Sequence, residues 1–208
     1  MIMNKSKLFE VNLRDFLDAR GEEETHDLLN SFDSKYNEDV NYFLKTKAEE
    51  FGKRGLASTY LVFTKYKGNL EFLAYYSLAM KAVVIKSDAR ISNSLRKKIN
   101  TYSNFEPKLK SYIMSCHLIG QLGKNYNISD DSLISGSELL ELACRKVRAA
   151  QEISGGKFVY LECENVKSLI NFYENNGFTI FGVRKLDKEE TNLNGKYLVY
   201  MKLKLVAQ

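Results

Sequence analysis

The sequence is poor in proline, cysteine and histidine and has no tryptophan, and these shortages exclude several kinds of protein. Pro107 is the only proline, and no stretch is rich in glycine or serine, so nothing marks a linker between domains. Cys116, Cys144 and Cys163 are odd in number and are not spaced as metal ligands, which is typical of reduced, buried thiols. We therefore predict a single domain over residues 1–208, in the cytoplasm.

The scarcity of histidine and the lack of a membrane-spanning run or a signal peptide further limit the kinds of function expected. His26 and His117 are the only histidines, which argues against a histidine-based hydrolase triad and against a histidine-rich metal site. No apolar run approaches the ~20 residues that span a bilayer. The N-terminal segment lacks the apolar core and small-residue cleavage site of a signal peptide. We predict no metal and no membrane association.

The net charge of +5 is unevenly distributed. Residues 1–50 contain seven Lys or Arg against twelve Asp or Glu, whereas the remainder contains 24 against 14. The basic part includes Lys86, Arg90, Arg96, Lys97, Lys98, Lys108 and Lys110. A basic surface suits an anionic ligand or nucleic acid, although most surface lysines are simply solvated.

Hydrophobic periodicity predicts both helices and strands. Helical spacing occurs in "VNLRDFLDA", in "DVNYFLKTKAEEF" with Asp39 as its N-cap, in "SGSELLELACRKVRAAQEI" and in "VKSLINFYE". Strands are predicted in "STYLVFTKY", "LEFLAYYSLAMKAVVI", "SYIMSCHLIGQLG", "KFVYLECE", "FTIFGVRKL" and "YLVYMKLKLV". Residues 86–110 are predicted to form a helix-plus-loop excursion. Paired strands early and strand–helix–strand units later indicate an α/β fold with a mixed sheet covered by helices.

The start of the helix predicted in "SGSELLELACRKVRAAQEI" has the composition of an anion-binding site. Ser135 and Glu138 have the spacing of a capping box, in which each side chain accepts from a backbone amide. Backbone N–H groups at a helix N-terminus also bind phosphate, and Gly136 lets a ligand approach the backbone closely. Any capped helix shares this pattern, so alone it is a weak indication of phosphate binding.

Tyr173, in "NFYENNGF", has two interpretations. It is one of 13 tyrosines and shares a helical face with Leu169 and Phe172, as a core aromatic would. Alternatively, its hydroxyl lies where a helix ends beside a sheet and can donate a proton to a leaving group. The flanking motifs favour the second interpretation.

The order of these motifs resembles the Gcn5-related N-acetyltransferases (GNAT). That family has a strand ending near "QLG", a phosphate loop opening a helix, a further strand, and a helix carrying Tyr and Gly-Phe. Here "LIGQLGKN", "LISGSELLELA" and "NFYENNGF" occur in that order, and the resemblance is best over residues 111–205. It implies a GNAT-like, mostly antiparallel sheet of about six to seven strands with one splayed parallel pair.

The resemblance also implies acetyl-coenzyme A as co-substrate and direct acetyl transfer to a primary amine. Tyr173 would be the general acid for the departing thiolate. The expected coenzyme-binding residues are Leu122, Gly123, Lys124, Ser135, Gly136, Ser137, Glu138, Asn165 and Phe172. Ile134 and Asp131 stand where the family has a glycine and a Gln or Arg, so a degenerate, non-catalytic acyl-coenzyme A-binding or interaction module is an alternative.

The acceptor is left open by the sequence. The segments "DVNYFLKTKAEEFGKRGLASTYLVF" and "LAYYSLAMKAVVI" resemble the toxin-type acetyltransferases that modify the amino acid on charged transfer RNA. That branch implies a tRNA substrate and a ribbon-helix-helix antitoxin. The acidic first 50 residues argue against RNA, and a small-molecule or peptide amine is the alternative acceptor. A homodimer is also left open.

Overall fold

A computed structural model describes residues 7–183 and 200–205. The chain forms two compact units, of which unit 1 comprises Met1–Ala79 and Gly120–Ala143 and unit 2 comprises Met80–Ile119 and Cys144–Gln208. Two strands and one helix run from one unit into the other. The prediction of one domain over residues 1–208 stays a prediction.

Within the described residues there are six helices and eight strands. The helices are α1 (Leu13–Asn30), α2 (Glu38–Thr46), α3 (Ala48–Lys53), α4 (Asn93–Tyr102), α5 (Gly136–Ser154) and α6 (Lys167–Asn175). The strands are β1 (Phe9–Asn12), β2 (Ser58–Tyr66), β3 (Asn69–Lys86), β4 (Asn104–Glu106), β5 (Ser111–Lys124), β6 (Phe158–Leu161), β7 (Thr179–Val183) and β8 (Tyr200–Leu205). The last two predicted strands also include residues 184–186, 197–199 and 206, and these residues lie outside the described part of the chain.

The strands are hydrogen-bonded in the order β1-β2-β3-β5-β6-β8-β7, and β4 pairs with β5. The pairs β1 with β2, β2 with β3, β4 with β5, β6 with β8 and β7 with β8 are antiparallel, whereas β5 and β6 are parallel. The predicted fold class, a mostly antiparallel GNAT-like sheet with one parallel pair and flanking helices, is confirmed. The short strands β1 and β4 were not predicted, because three or four residues carry too little periodicity to be recognised.

The turn between β2 and β3 follows directly from its sequence. Lys67 and Gly68 have positive φ angles of 49° and 87°, which is the backbone of a two-residue type I′ hairpin turn. Pairing then runs from Tyr66 with Asn69 to Ser58 with Leu78. The strands predicted in "STYLVFTKY" and "LEFLAYYSLAMKAVVI" are thus confirmed, and they form a hairpin.

The N-terminal helices differ from the prediction in two respects. The single helix predicted over "DVNYFLKTKAEEF" is divided at Lys47, whose φ and ψ of −121° and −30° are not helical. The predicted N-cap, Asp39, is wrong, because Asn37 caps α2 and its side chain accepts from the amides of Asp39 and Val40 at 3.0 and 3.3 Å. Helix α1 continues to Asn30 across a kink at Gly21, whose φ is 80°.

Each unit has its own hydrophobic core. The buried cluster of unit 1 contains Leu13, Leu29, Phe32, Val40, Leu44, Ala48, Leu61, Phe63, Phe72 and Tyr75. The buried cluster of unit 2 contains Val83, Ile85, Leu95, Ile99, Met114, Cys116, Phe158 and Tyr160. Burial of this apolar surface is the main contribution that stabilises either unit.

The N-cap of α2 provides a test of the fold. We expect Asn37→Ala to lower the free energy of unfolding by about 1 kcal/mol, because two amides of the first turn lose their acceptor. Asn37→Asp keeps an acceptor oxygen and should retain most of the stability. Urea denaturation of the three proteins measures this, and equal midpoints for Asn37→Ala and the parent protein would contradict the capping role.

Candidate functional site

The parallel pairing of β5 with β6 is short. It joins His117, Leu118 and Ile119 to Val159, Tyr160 and Leu161. Beyond Ile119, β5 continues to Lys124 and carries three of the predicted coenzyme-binding residues, Leu122, Gly123 and Lys124, in unit 1. Gly123 is buried, whereas Leu122 and Lys124 are half-buried.

Gly123 has a packing reason to be glycine. A Cβ atom built there would lie 2.4 Å from Val40 Cγ1, 3.2 Å from Phe32 Cζ and 3.3 Å from Tyr75 Cε1. No side chain fits at 2.4 Å without movement of α2 or of β5. The absence of a side chain therefore lets β5 approach the aromatic core of unit 1, whatever ligand its backbone contacts.

Lys124 contacts the segment that precedes α5. Its ammonium donates to the backbone carbonyl of Asp131 at 2.7 Å, and the same Nζ lies 5.4 Å from the centroid of the Tyr126 ring. Asp131 is exposed. Asp131 stands where the family has a Gln or Arg. It is thus next to Lys124, whose positive charge partly offsets that of its carboxylate.

The capping box at the start of α5 is present. The Ser135 amide and hydroxyl donate to Glu138 Oε2 at 2.9 and 2.8 Å, and the Glu138 amide donates to Ser135 Oγ at 3.1 Å. The amides of Ser135 and Glu138, both expected to hold a diphosphate, therefore have acceptors within the chain. A diphosphate would replace the half-buried Glu138 carboxylate at the Ser135 amide.

Ile134 explains how the loop forms without the family's first glycine. Its φ and ψ of −144° and 132° are those of an extended residue, and its side chain is completely buried. A β-branched residue adopts this conformation without strain. Gly136 is the first residue of α5, so the loop enters the helix with its apolar side chain directed into the protein.

Tyr173, the predicted general acid, lies on α6 in unit 2 and is only 9% exposed. Its ring contacts those of Phe172 and Phe178, with centroids 5.0 and 5.9 Å away. The Asn-Asn-Gly break ends the helix, since Gly177 has a φ of 77° and the Phe178 amide donates to the Tyr173 carbonyl at 3.0 Å. This turn brings Phe178 against the Tyr173 ring.

Burial raises the pKa of the Tyr173 phenol well above 10, and the neighbouring Cys163 thiol adds to the increase. The phenol is thus protonated throughout the neutral and mildly alkaline range. Because a thiol titrates near ~8.5, full proton transfer from this phenol to a thiolate is uphill. A hydrogen bond to the developing thiolate is the main help that it can give.

The remaining predicted site residues of unit 2 lie close to Tyr173 in the chain. Asn165 is exposed and precedes α6, and Phe172 is half-buried beside Tyr173. The predicted residues therefore fall into two groups, one of Leu122 to Lys124 and Ser135 to Glu138 in unit 1, and one of Asn165, Phe172 and Tyr173 in unit 2.

The basic segment of unit 2 is partly structural. The Arg96 guanidinium donates to the carbonyls of Ser87 and Ala89, which fixes the chain between β3 and α4. The other six basic residues of the segment are exposed: Lys86, Arg90, Lys97, Lys98, Lys108 and Lys110. Tyr102 and Phe105 are exposed beside them at 46% and 49%.

One cluster in unit 1 was not predicted from the sequence. Tyr36 and Tyr126 form an edge-to-face pair with ring centroids 5.1 Å apart, and Tyr36 is 72% exposed. Ninety positions separate the two tyrosines in the chain, so no local pattern connects them.

Among the described residues, no three His, Cys, Asp or Glu side chains form a potential metal site. No helix in that part of the chain combines the length and apolar character needed to cross a membrane.

Comparison with known proteins identifies the fold. No protein-family profile and no curated protein sequence matches the chain. The solved structure of AtaT complexed with acetyl-methionyl-tRNAfMet is 16% identical, with 96% of this chain and 95% of that chain covered and a TM-score of 0.61. A tyrosine-to-phenylalanine mutant of KacT gives the same values.

An AtaT mutant toxin bound to the C-terminus of the antitoxin AtaR and acetyl-CoA is 18% identical, with coverages of 96% and 93% and a TM-score of 0.55. The chain thus has the GNAT fold of these toxins, as the sequence resemblance implied. Likeness at these identities establishes the fold alone, since one fold supports many activities.

The contact at Gly123 generates a stability prediction. We expect Gly123→Ala to lower the free energy of unfolding by about 1–3 kcal/mol, because the new methyl group overlaps Val40. Adding Val40→Ala should reduce this cost, so that the two substitutions are not additive in urea denaturation.

Gly52→Ala is the matched control for Gly123→Ala. Its Cβ would meet only the Ala57 carbonyl, at 4.0 Å, within α3, and alanine favours a helix. We expect this variant to be as stable as the parent protein or more stable. A Gly123→Ala protein that unfolds at the parent midpoint would show that the close approach of β5 to α2 is wrong.

Proposed function

We propose that this chain, which has the fold of AtaT and KacT, is an acetyl-CoA-dependent N-acetyltransferase of the cytoplasm. The observation that carries the proposal is the likeness, over 96% of the chain, to a toxin structure that contains acetyl-CoA. Independent support comes from three sequence motifs of that family, which occur in family order on β5, α5 and α6. The acceptor is a primary amine.

The proposed reaction is direct transfer between two bound substrates. The neutral amine attacks the thioester carbonyl, a C–N bond forms, and the C–S bond breaks with its electron pair on sulfur. The amine loses one proton to solvent or a base, and the leaving thiolate gains one. No covalent intermediate on the protein is required, and all three cysteines of the chain are buried.

Tyr173 is assigned to the leaving thiolate. Its raised pKa keeps the phenol protonated as the pH rises, so deprotonation of Tyr173 does not limit the rate near pH 7 to 9. In that range the rate should rise with pH, because the attacking amine must be neutral. The phenol then contributes a hydrogen bond that is strongest when charge develops on sulfur.

Two groups in unit 1 are assigned to the coenzyme. Backbone groups of Leu122, Gly123 and Lys124 would pair with the pantetheine arm in the manner of a strand. The amides at the start of α5, from Ser135 to Glu138, would hold the diphosphate with the help of the helix dipole. In unit 2, Asn165 and Phe172 are expected to contact the coenzyme near Tyr173.

A toxin-type activity on charged tRNA is a second candidate. It is favoured by the likeness to AtaT, whose solved structure is a complex with acetyl-methionyl-tRNAfMet. The exposed lysines of residues 86–110 would meet RNA phosphates, which dominate affinity for nucleic acid. On this candidate function the partner is a ribbon-helix-helix antitoxin, by analogy with AtaT bound to AtaR. A homodimer remains a proposal.

The role of Tyr173 is tested by Tyr173→Phe. We expect turnover of acetyl-CoA with an amine acceptor to fall at least tenfold, because the donor to the thiolate is lost, while coenzyme affinity stays nearly unchanged. Stopped-flow kinetics and calorimetry measure the two quantities.

Tyr160→Phe serves as the control, since it removes another buried phenol of unit 2 outside the proposed site. Unchanged turnover in Tyr173→Phe would remove the general-acid role. A parent protein that binds acetyl-CoA without any acetyl transfer or thioester hydrolysis would instead indicate the non-catalytic module.

The tRNA candidate is tested by salt dependence. We expect affinity for charged tRNA to fall steeply as salt is raised, and Lys97→Gln with Lys98→Gln to weaken binding and reduce that slope by about two phosphate contacts. Lys45→Gln with Lys65→Gln removes the same charge from exposed positions of unit 1 and is the control. Absent or salt-insensitive binding, measured by fluorescence anisotropy, would argue against RNA as substrate.

A further inference from the structure

Unit 1 presents an aromatic pair in a fixed orientation, in which Tyr36 is exposed and Tyr126 is half-buried. Tyr36 is the most exposed of its tyrosines at 72%, and its ring meets Tyr126 edge to face. Lys35 Nζ lies 5.3 Å from the centroid of the Tyr36 ring, and Lys124 Nζ lies 5.4 Å from that of Tyr126. We call these four residues the tyrosine–lysine cluster.

Hydrogen bonds connect the two loops that carry the cluster. The Tyr126 amide donates to the Asp33 carbonyl at 2.8 Å, and the Asp33 amide donates to Asn125 Oδ1 at 3.0 Å. Asn127 Nδ2 donates to the Ser31 carbonyl at 3.1 Å. Because Asn125 is only 2% exposed, its hydrogen bond with Asp33 is largely shielded from water and helps to hold the loops together.

The backbone before Tyr36 is also constrained. Lys35 has a positive φ of 60°, and its amide donates to Asp33 Oδ1 at 2.8 Å. The Tyr36 amide donates to the Ser34 carbonyl at 2.6 Å, and the Ser34 hydroxyl donates to the Asn37 carbonyl at 2.6 Å. A large aromatic side chain is thus held in solvent by a tight turn, although its burial would be favourable.

The cluster lies beside the proposed diphosphate loop. Lys124 contacts both the Tyr126 ring and the Asp131 carbonyl, and the segment from Asp131 continues into the amino end of α5. Asp33 is close enough to Lys35 to offset part of its positive charge. A ligand held here would bind mainly through its aromatic faces.

We propose that the tyrosine–lysine cluster binds the adenine nucleotide end of coenzyme A, with the base stacked on the exposed Tyr36 ring beside the edge-to-face Tyr126 and the lysines near its phosphates. Aromatic side chains bind bases of any sequence by stacking, and lysines add attraction for phosphate. The proposal rests on the function proposed above, and it assigns a site that neither the sequence motifs nor the fold specify.

The test compares two acetyl thioesters, acetyl-CoA and acetyl-pantetheine, which lacks the nucleotide. We expect Tyr36→Ala to weaken acetyl-CoA binding by roughly tenfold, the loss expected for one stacked base, and to leave turnover of acetyl-pantetheine unchanged. Tyr36→Phe keeps the ring and should bind as the parent protein does. Calorimetry and steady-state kinetics provide the two measurements.

Tyr42→Ala is the matched control, because Tyr42 is an exposed tyrosine of unit 1 outside the cluster. If the parent protein binds acetyl-CoA and Tyr36→Ala binds it equally well, the nucleotide site is wrong while the proposed function stands. If the parent protein binds no acetyl-CoA, both are wrong. Loss of binding to a short single-stranded RNA, with acetyl-CoA binding intact, would assign the cluster to RNA and overturn the proposal.

Discussion

A buried side-chain amide, that of Asn125, organises the part of unit 1 on which the proposed site depends. It accepts from the amides of Asp33 and Asn127 at 3.0 Å and donates to the Phe72 carbonyl at 2.9 Å. An unpaired amide at 2% exposure would cost several kcal/mol, so the three bonds must form together. The end of β5, the loop before α2 and strand β3 are thereby fixed to one another.

The close packing at Gly123, two residues before Asn125, also fixes the position of β5. Without a side chain at this position, β5 approaches Val40 and the aromatic residues Phe32 and Tyr75. Tyr75 is completely buried and donates its hydroxyl to the Val40 carbonyl at 2.6 Å, which connects the strand layer to α2. The course of β5 just before Lys124 therefore follows from core packing.

The role proposed for Tyr173 in unit 2 depends on burial and on aromatic contacts. Tyr173 is held by aromatic contacts and by the helix end at Gly177, and burial keeps its phenol neutral. An ionised phenol would be poorly solvated there, so the group stays protonated over the physiological pH range. This fits an amine acetylation, in which the rate-limiting ionisation is that of the acceptor.

The sequence by itself determined the order of the main elements, the two strands on either side of Lys67-Gly68, the capping box at Ser135 and the kind of fold. These depend on local periodicity, on residues at fixed short spacings and on motifs that occur in the order of a known family. Local signals failed where competing residues lie close together, as when Asn37 rather than Asp39 caps α2. Only the tertiary structure decided that Gly123 serves packing, that Ile134 anchors the loop before α5, and that Tyr36 meets Tyr126. These facts depend on contacts between residues far apart in the chain, and such contacts are set by how the core closes, which no local pattern records.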